Sequence, residues 1–330
     1  MKAISLNSII KPGIPTLILI LILFLAVWTA HLLLLPVFQE SADEYGKMQW
    51  PLLFHLPALV VLTTINSILI RRFVLRFAII RVKSFLPVLL FLIFTTVWSG
   101  LRFDLYPHLF LTAFIIATEF FFNMFRNRKA VEHAFLTSFI ISLLTLDEPI
   151  YIVLFPVIWC GYIILKSMSL RVWLASLSGL AIPWIFFNAL YWFKGIPTGL
   201  SPDLEQLLHP SLFMPSSFLT LFIYGGVTGL ITLLAISVIL TKIFDDSVQT
   251  RKYIYILAVL LVVITLICVF YQPFAHLFLP LIAFLVAVLL AHPFTLHKSD
   301  FFSLLFIFLI LINITYLITQ YFNFFSTWAI

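Results

Sequence analysis

The stretch VFQESADEYGKMQW, residues 37–50, places Glu40, Asp43 and Glu44 between two long apolar runs. A carboxylate there could take the proton from an acceptor hydroxyl, so Asp43 and Glu44 are candidate general bases. A second acidic pair, Asp147 and Glu148, stands in TLDEPIY, 145–151. Arg102 and Lys194 are the cations that could hold a phosphate leaving group, because a fixed positive charge stabilises the negative charge that develops on departure. Each of these has a plainer reading. Residues 37–50 also suit a solvated turn, with Tyr45 and Trp50 at headgroup depth. Asp147 and Glu148 also suit a polar turn that caps the next helix, with the acids near its positive end.

Glu119 lies inside FIIATEFFFNMF with Asn123 one turn on. An acid within an apolar span is costly and points to function by default. The alternative is an ion pair or hydrogen bond to a neighbouring helix, with Arg126 and Arg128 close in sequence. His292 and His297 are five apart beside Asp300 and lack the i, i+4 spacing of a helical zinc site, so no metal is expected. His31, His55, His108 and His276 read as interfacial hydrogen-bonding groups. Cys160 and Cys268 sit in apolar runs without spaced partners and read as packing residues. Gly225 and Gly229 form a Gly-x-x-x-Gly pair in an apolar run, which predicts close helix packing. No nucleotide-binding glycine loop or nucleophile elbow is present, so ATP chemistry is not expected, and no cofactor is implied.

The elements that carry these groups follow from composition. The chain has 330 residues, 63% hydrophobic and 10% charged, with 37 Phe. A soluble domain carries about 25% charged residues. The bilayer is therefore the expected solvent, and a single transmembrane domain covers 1–330. The expected spans are 14–36, 51–70, 84–100, 107–125, 133–146, 149–166, 173–193, 217–241, 253–271, 274–291 and 301–322. That gives an all-α polytopic protein of about eleven transmembrane helices. The first is an uncleaved span. The pair 133–166 is open to a second reading, a re-entrant pair broken at Pro149.

With the N-terminus cytoplasmic and the C-terminus outside, sixteen of the nineteen Lys and Arg residues fall inside. Only Lys47, Arg102 and Lys194 fall outside, in accord with the positive-inside rule. The basic surplus then marks topology and lipid headgroups, and no nucleic acid is implied. The segment 71–83, RRFVLRFAIIRVK, has an amphipathic pattern suited to the inner leaflet. SPDLEQLL, 201–208, could open a short helix with Ser201 as cap and Pro202 first.

One inside terminus, one span and then an outer acidic loop resembles the multi-span glycosyltransferases of the GT-C fold group, which use polyprenyl-phosphate sugars. The resemblance puts Asp43 or Glu44 at the place of the catalytic acid. FLTSFIISLLTLDEPIYIVLFPVIW resembles the short-helix pair of those enzymes, with Asp147 and Glu148 where they carry a lysine. The likeness covers residues 1–193. The whole chain is also similar to an uncharacterised family of bacterial polytopic membrane proteins, some labelled carotene monooxygenases, through TTINSILIRR and LRVWLASLSGLAIPW. No iron-binding histidine set accompanies that likeness. It implies the inner membrane of a Gram-negative bacterium.

Three functions are expected to compete. One is transfer of a sugar from a polyprenyl-phosphate donor at the outer face. There Asp43 or Glu44 is the base, Asp147 or Glu148 a second acid, and Arg102 and Lys194 the phosphate contacts. The second is a carrier or flippase for a lipid or small solute, which would rest on Glu119 and Asn123. The third is a non-catalytic membrane subunit or scaffold.

Overall fold

A computed structural model of the chain describes residues 22, 52–97, 105–194, 216–242, 246–271, 274–296 and 300–321. Its order is α1 (Leu52–Arg76), α2 (Leu86–Val97), α3 (Tyr106–Phe122), α4 (Val131–Thr145), a 3-10 helix (Pro149–Val153), α5 (Leu154–Ile164), α6 (Leu170–Phe193), α7 (Ser216–Lys242), α8 (Val248–Phe270), α9 (Ala275–Leu296) and α10 (Asp300–Tyr321). All regular structure among the described residues is helical. Six of these helices, α1 and α6 to α10, are long and apolar enough to cross a membrane. The helices from α2 to α5 are apolar but shorter. The first expected span, the loop 37–50, Arg102 and the 201–208 segment lie outside the described residues, apart from Ile22.

Helix ends have identifiable causes. Ser169 caps α6 by accepting the Val172 N–H at 3.3 Å, and Ser247 caps α8 by accepting the Thr250 N–H at 3.1 Å. These side chains satisfy donors that the first turn leaves open. α1 and α5 end without glycine. Ala78 and Lys166 take φ of 46° and 57°. Behind Ala78 the Ile79 N–H reaches the Val74 carbonyl at 3.2 Å; behind Lys166 the Ser167 N–H reaches the Tyr162 carbonyl at 3.0 Å. Each is a Schellman closure built on a residue with a side chain.

The Ala78 closure changes the reading of 71–83. The segment is not one surface helix. α1 runs on to Arg76, and the chain then turns, with Phe73, Val74, Phe77, Ile79 and Ile80 buried in the protein. Arg72, Arg76 and Lys83 are exposed, so the alternation is real, but its apolar side faces protein.

The contacts gather into two compact units interleaved along the chain. Unit 1 draws on Met1–His108, Phe213–Asp246 and His276–Ile330, and unit 2 on Leu109–Leu212 and Ser247–Ala275. In unit 1, α2 packs on α1 and α10, and α10 also packs on α7. Phe284 of α9 meets the Phe73 ring edge-on at 5.7 Å, and Phe294 meets Phe302 and Phe306. Offset and edge-on ring pairs of this kind fill a core densely. Across α7 and α10 the Tyr224 hydroxyl donates to Asn313 at 2.7 Å, and Tyr224 stacks on Tyr316.

In unit 2 the closest pair is α4 with α6. The buried face of α4 is Ala134, Thr137, Ser138, Ile141, Ser142 and Thr145; that of α6 is Val172, Ala175, Ser176, Gly179 and Pro183. Lipid offers apolar side chains no reason to leave it, so membrane helices associate through small residues and hydrogen bonds. Here Ser138 and Ser176 share a hydrogen bond at 2.6 Å. Ser142 donates to the Leu180 carbonyl at 2.7 Å, and the Trp184 indole donates to Thr145 at 2.9 Å. A Cβ on Gly179 would stand 2.6 Å from the Phe135 carbonyl oxygen, so glycine is what lets the backbones meet. Gly225 and Gly229 do not do this. A Cβ at either meets nothing within 4 Å, which corrects the expected packing role of that pair.

Candidate functional site

The hydrogen bonds of the α4–α6 seam fix its direction. Positions 138, 142 and 145 pair with 176, 180 and 184, so the helices run parallel at an offset of about 38 residues. Their starts are level: the Ser169 hydroxyl donates to the Arg128 carbonyl at 3.0 Å. α4 stops at Thr145 and α6 continues to Phe193. The acidic turn is therefore level with about residue 185 of α6. From there to Lys194 is roughly 13 Å at 1.5 Å per residue.

On that turn Asp147 is exposed and Glu148 is buried, with 4% of its surface open. Pro149 ends the helical run as expected. Glu148 adopts an extended φ of −123° and Pro149 opens the 3-10 helix. Glu148 stands at the cap position but makes no side-chain cap bond, so the capping reading of this acid is not what the structure displays. The turn instead satisfies its backbone internally. The N–H groups of Leu146, Glu148 and Tyr151 reach the carbonyls of Leu143, Leu144 and Glu148 at 3.2–3.4 Å. Tyr151 is fully buried and stacks on Phe110 with ring centroids 3.8 Å apart. Phe110 lies one turn into α3, so the start of α3 shares the depth of the acidic turn.

The other expected residues lie elsewhere. Lys194 is exposed at the end of α6, beyond the turn, and is not brought against Asp147 or Glu148. Asp43, Glu44 and Arg102 fall outside the described residues. Glu119 is buried at 8% exposure near the opposite end of α4. The Thr137 hydroxyl donates to the Ala117 carbonyl at 3.3 Å, which levels Glu119 with about residue 135. The axial distance from there to Asp147 is roughly 18 Å. Asn123 is half-buried just past the end of α3, and its N–H bonds the Glu119 carbonyl at 3.2 Å. The acids of α3 and of the turn thus belong to opposite ends of unit 2.

The end of unit 2 near Glu119 carries most of its charge. Arg126, Arg128, Lys129, Glu132, Lys166 and Arg171 are exposed there. The Arg126 N–H reaches the Leu165 carbonyl at 2.9 Å, and the Tyr253 hydroxyl donates to the Phe122 carbonyl at 2.8 Å. Between Arg171 and Lys194 the sequence has no charged residue. That stretch, 172–193, is about 33 Å long as helix and matches a hydrocarbon core of about 30 Å.

Unit 1 holds a polar cluster that sequence reasoning missed. Arg81 Nε donates to Asp246 Oδ1 at 2.5 Å, and His292 Nε2 lies 3.4 Å from Oδ2. The Asp246 and His292 side chains are 2% and 3% exposed. Three segments far apart in sequence converge there, after α1, before α8 and within α9, so no local spacing announces it. Asn66 is another. It is fully buried in α1 and donates to the His108 carbonyl at 3.0 Å. His108 itself is 2% exposed.

No family model matches this chain, and neither a curated protein nor a solved structure does.

Proposed function

We propose that the chain is a bacterial inner-membrane protein that transfers a sugar from a polyprenyl-phosphate donor at the outer face. Its eleven apolar segments put the N-terminus in the cytoplasm and the C-terminus outside. The observation that carries the reading is Asp147, an exposed carboxylate at the head of a short-helix pair that stops well short of the Lys194 end of α6. An acid at such depth is expensive unless it faces water and has a task.

In this reading the acceptor hydroxyl oxygen attacks the anomeric carbon. The sugar–phosphate bond breaks, and the phosphate leaves with the bonding pair. The hydroxyl proton passes to a carboxylate, Asp43 or Glu44, while Asp147 orients the acceptor from below. Lys194, at the rim, and Arg102 would meet the departing phosphate. The sixteen-to-three division of cations between the two faces supports the orientation.

A second reading, a carrier for a lipid or small solute, is favoured by Glu119, an acid buried in an apolar helix. One experiment separates the two. A deletion strain is compared with strains restored with wild type, Asp147→Asn, Asp43→Asn, Glu44→Gln or Glu119→Gln at equal protein levels. Lipid-linked and surface glycans are then measured by mass spectrometry. Transfer predicts a glycan short of one sugar, restored by wild type but not by Asp147→Asn. Carriage predicts an intact lipid-linked intermediate that accumulates, with Glu119→Gln as the failing variant. Unchanged glycans on deletion overturn both.

A further inference from the structure

The geometry points to a water-filled recess at the Lys194 end of unit 2, with the Asp147 turn as its floor and α4 and α5 as a re-entrant pair. Four observations in unit 2 lead there, and none depends on the transferase reading.

The first is depth. α4 and α6 start level and run in parallel, but α4 ends roughly 15 Å below Lys194. α6 contains Pro183 and remains one helix through Phe193. The second is the return. Only Leu165–Ser169 joins the end of α5 to the start of α6, and the Arg126 N–H holds the Leu165 carbonyl beside the end of α3. The pair therefore enters and leaves on the Arg171 side.

The third observation is the character of α6 above the level of the turn. Ile185, Phe186, Leu190, Trp192 and Phe193 of α6 are all exposed. A helix presenting those side chains is still in hydrocarbon or at its edge. The fourth is the acid. Asp147 is exposed at a depth where an ionised carboxylate in lipid is costly, so the space it faces is aqueous. The satisfied backbone of the turn and the Tyr151–Phe110 stack seal the floor beneath it. Backbone can turn at membrane depth only where protein or a wet cavity covers it.

The test uses the full chain with Cys160 and Cys268 replaced by serine, in sealed vesicles of known sidedness. Single cysteines are placed by Asp147→Cys, Lys194→Cys and Leu190→Cys. Each is treated from the Lys194 side with a small charged thiosulfonate and, separately, with a bulky polyethylene-glycol maleimide.

Lys194→Cys should react with both reagents and Leu190→Cys with neither. Asp147→Cys should react with the small reagent and lose labelling by the bulky one. If Asp147→Cys takes the bulky reagent as readily as Lys194→Cys, the turn is a surface loop and the recess does not exist. If it takes neither reagent, or reacts only from the Arg171 side, the recess is absent or opens the other way. Where Asp147→Cys gives no folded protein, Ile152→Cys, exposed on the following 3-10 turn, is read by the same outcomes.

Discussion

Helices α9 and α6 are of similar length, 22 and 24 residues, and both are apolar enough to span a membrane. Yet 89% of the apolar stretch of α9 is buried in protein, against 28% for α6. α9 is surrounded by large side chains and fills its unit with rings such as Phe284 and Phe294. α6 meets α4 along a narrow seam of Ser, Ala and Gly and leaves most of its remaining surface exposed. α9 is also the more apolar, with a mean hydropathy of 2.4 over that stretch against 1.5 for α6, but the more apolar helix is the one withdrawn from the surface, so apolarity alone does not set what faces lipid. The contact faces differ in residue size, because close backbone approach replaces the hydrophobic effect once lipid is the solvent.

The largest effect should come from spoiling that approach. Gly179→Leu forces a side chain onto the Phe135 carbonyl and should cost about 3 kcal/mol or more, read as loss of the folded peak in detergent size-exclusion. Gly225→Leu, with nothing within 4 Å, should leave the peak unchanged, and equal losses would break the comparison. Next is the polar cluster of unit 1. Asp246→Ala strands Arg81 and His292 and should cost about 2 kcal/mol, less than the roughly 3–5 kcal/mol of breaking a fully buried pair. Arg81, 39% exposed, can turn to water. Thermal denaturation of the purified protein reads that loss.

The seam's hydrogen bonds are worth less. Ser176 bonds both Ser138 at 2.6 Å and the Trp159 indole at 3.0 Å. Ser176→Ala should cost about 1 kcal/mol, and a double-mutant cycle with Ser138→Ala should show coupling below that figure. The smallest effect has the opposite sign. Lys166 holds φ at 57°, so Lys166→Gly should raise stability by about 0.5 kcal/mol, visible as a small rise in Tm.

Much of the helical layout was legible in the sequence. The expected spans 217–241, 173–193 and 301–322 correspond to Ser216–Lys242, Leu170–Phe193 and Asp300–Tyr321. A run of apolar residues in this chain has no other way to satisfy its backbone in lipid. Boundaries slipped where a cap sat among polar residues. α8 begins at Val248, five residues before the expected 253, because Ser247 caps a first turn that contains Arg251 and Lys252 nearby.

Packing was less legible. The Gly225–Gly229 pair has the familiar spacing but a Cβ at either meets nothing within 4 Å, whereas Ala134, Ser138 and Ser142 recur at every fourth position on the buried face of α4, where Ser138 meets Ser176 and Gly179 and Ser142 meets Leu180. That small-residue periodicity was present in the sequence and could have been read. The Arg81–Asp246–His292 meeting could not, since contact across 165 residues leaves no local mark. For the candidate site, the sequence singled out Asp147 and Glu148 and the break at Pro149. Their depth follows only from the register of α4 on α6, which no single-helix pattern contains.

That register is the central claim, and disulfide trapping measures it directly. In the chain lacking Cys160 and Cys268, Ser138→Cys is paired with Ser176→Cys and, separately, with Leu190→Cys, and each is oxidised in membranes. The 138–176 pair should close to a disulfide and the 138–190 pair should stay reduced. A closed 138–190 pair, or a 138–176 pair that fails to close in folded protein, would contradict the parallel register and with it the depth of the Asp147 turn.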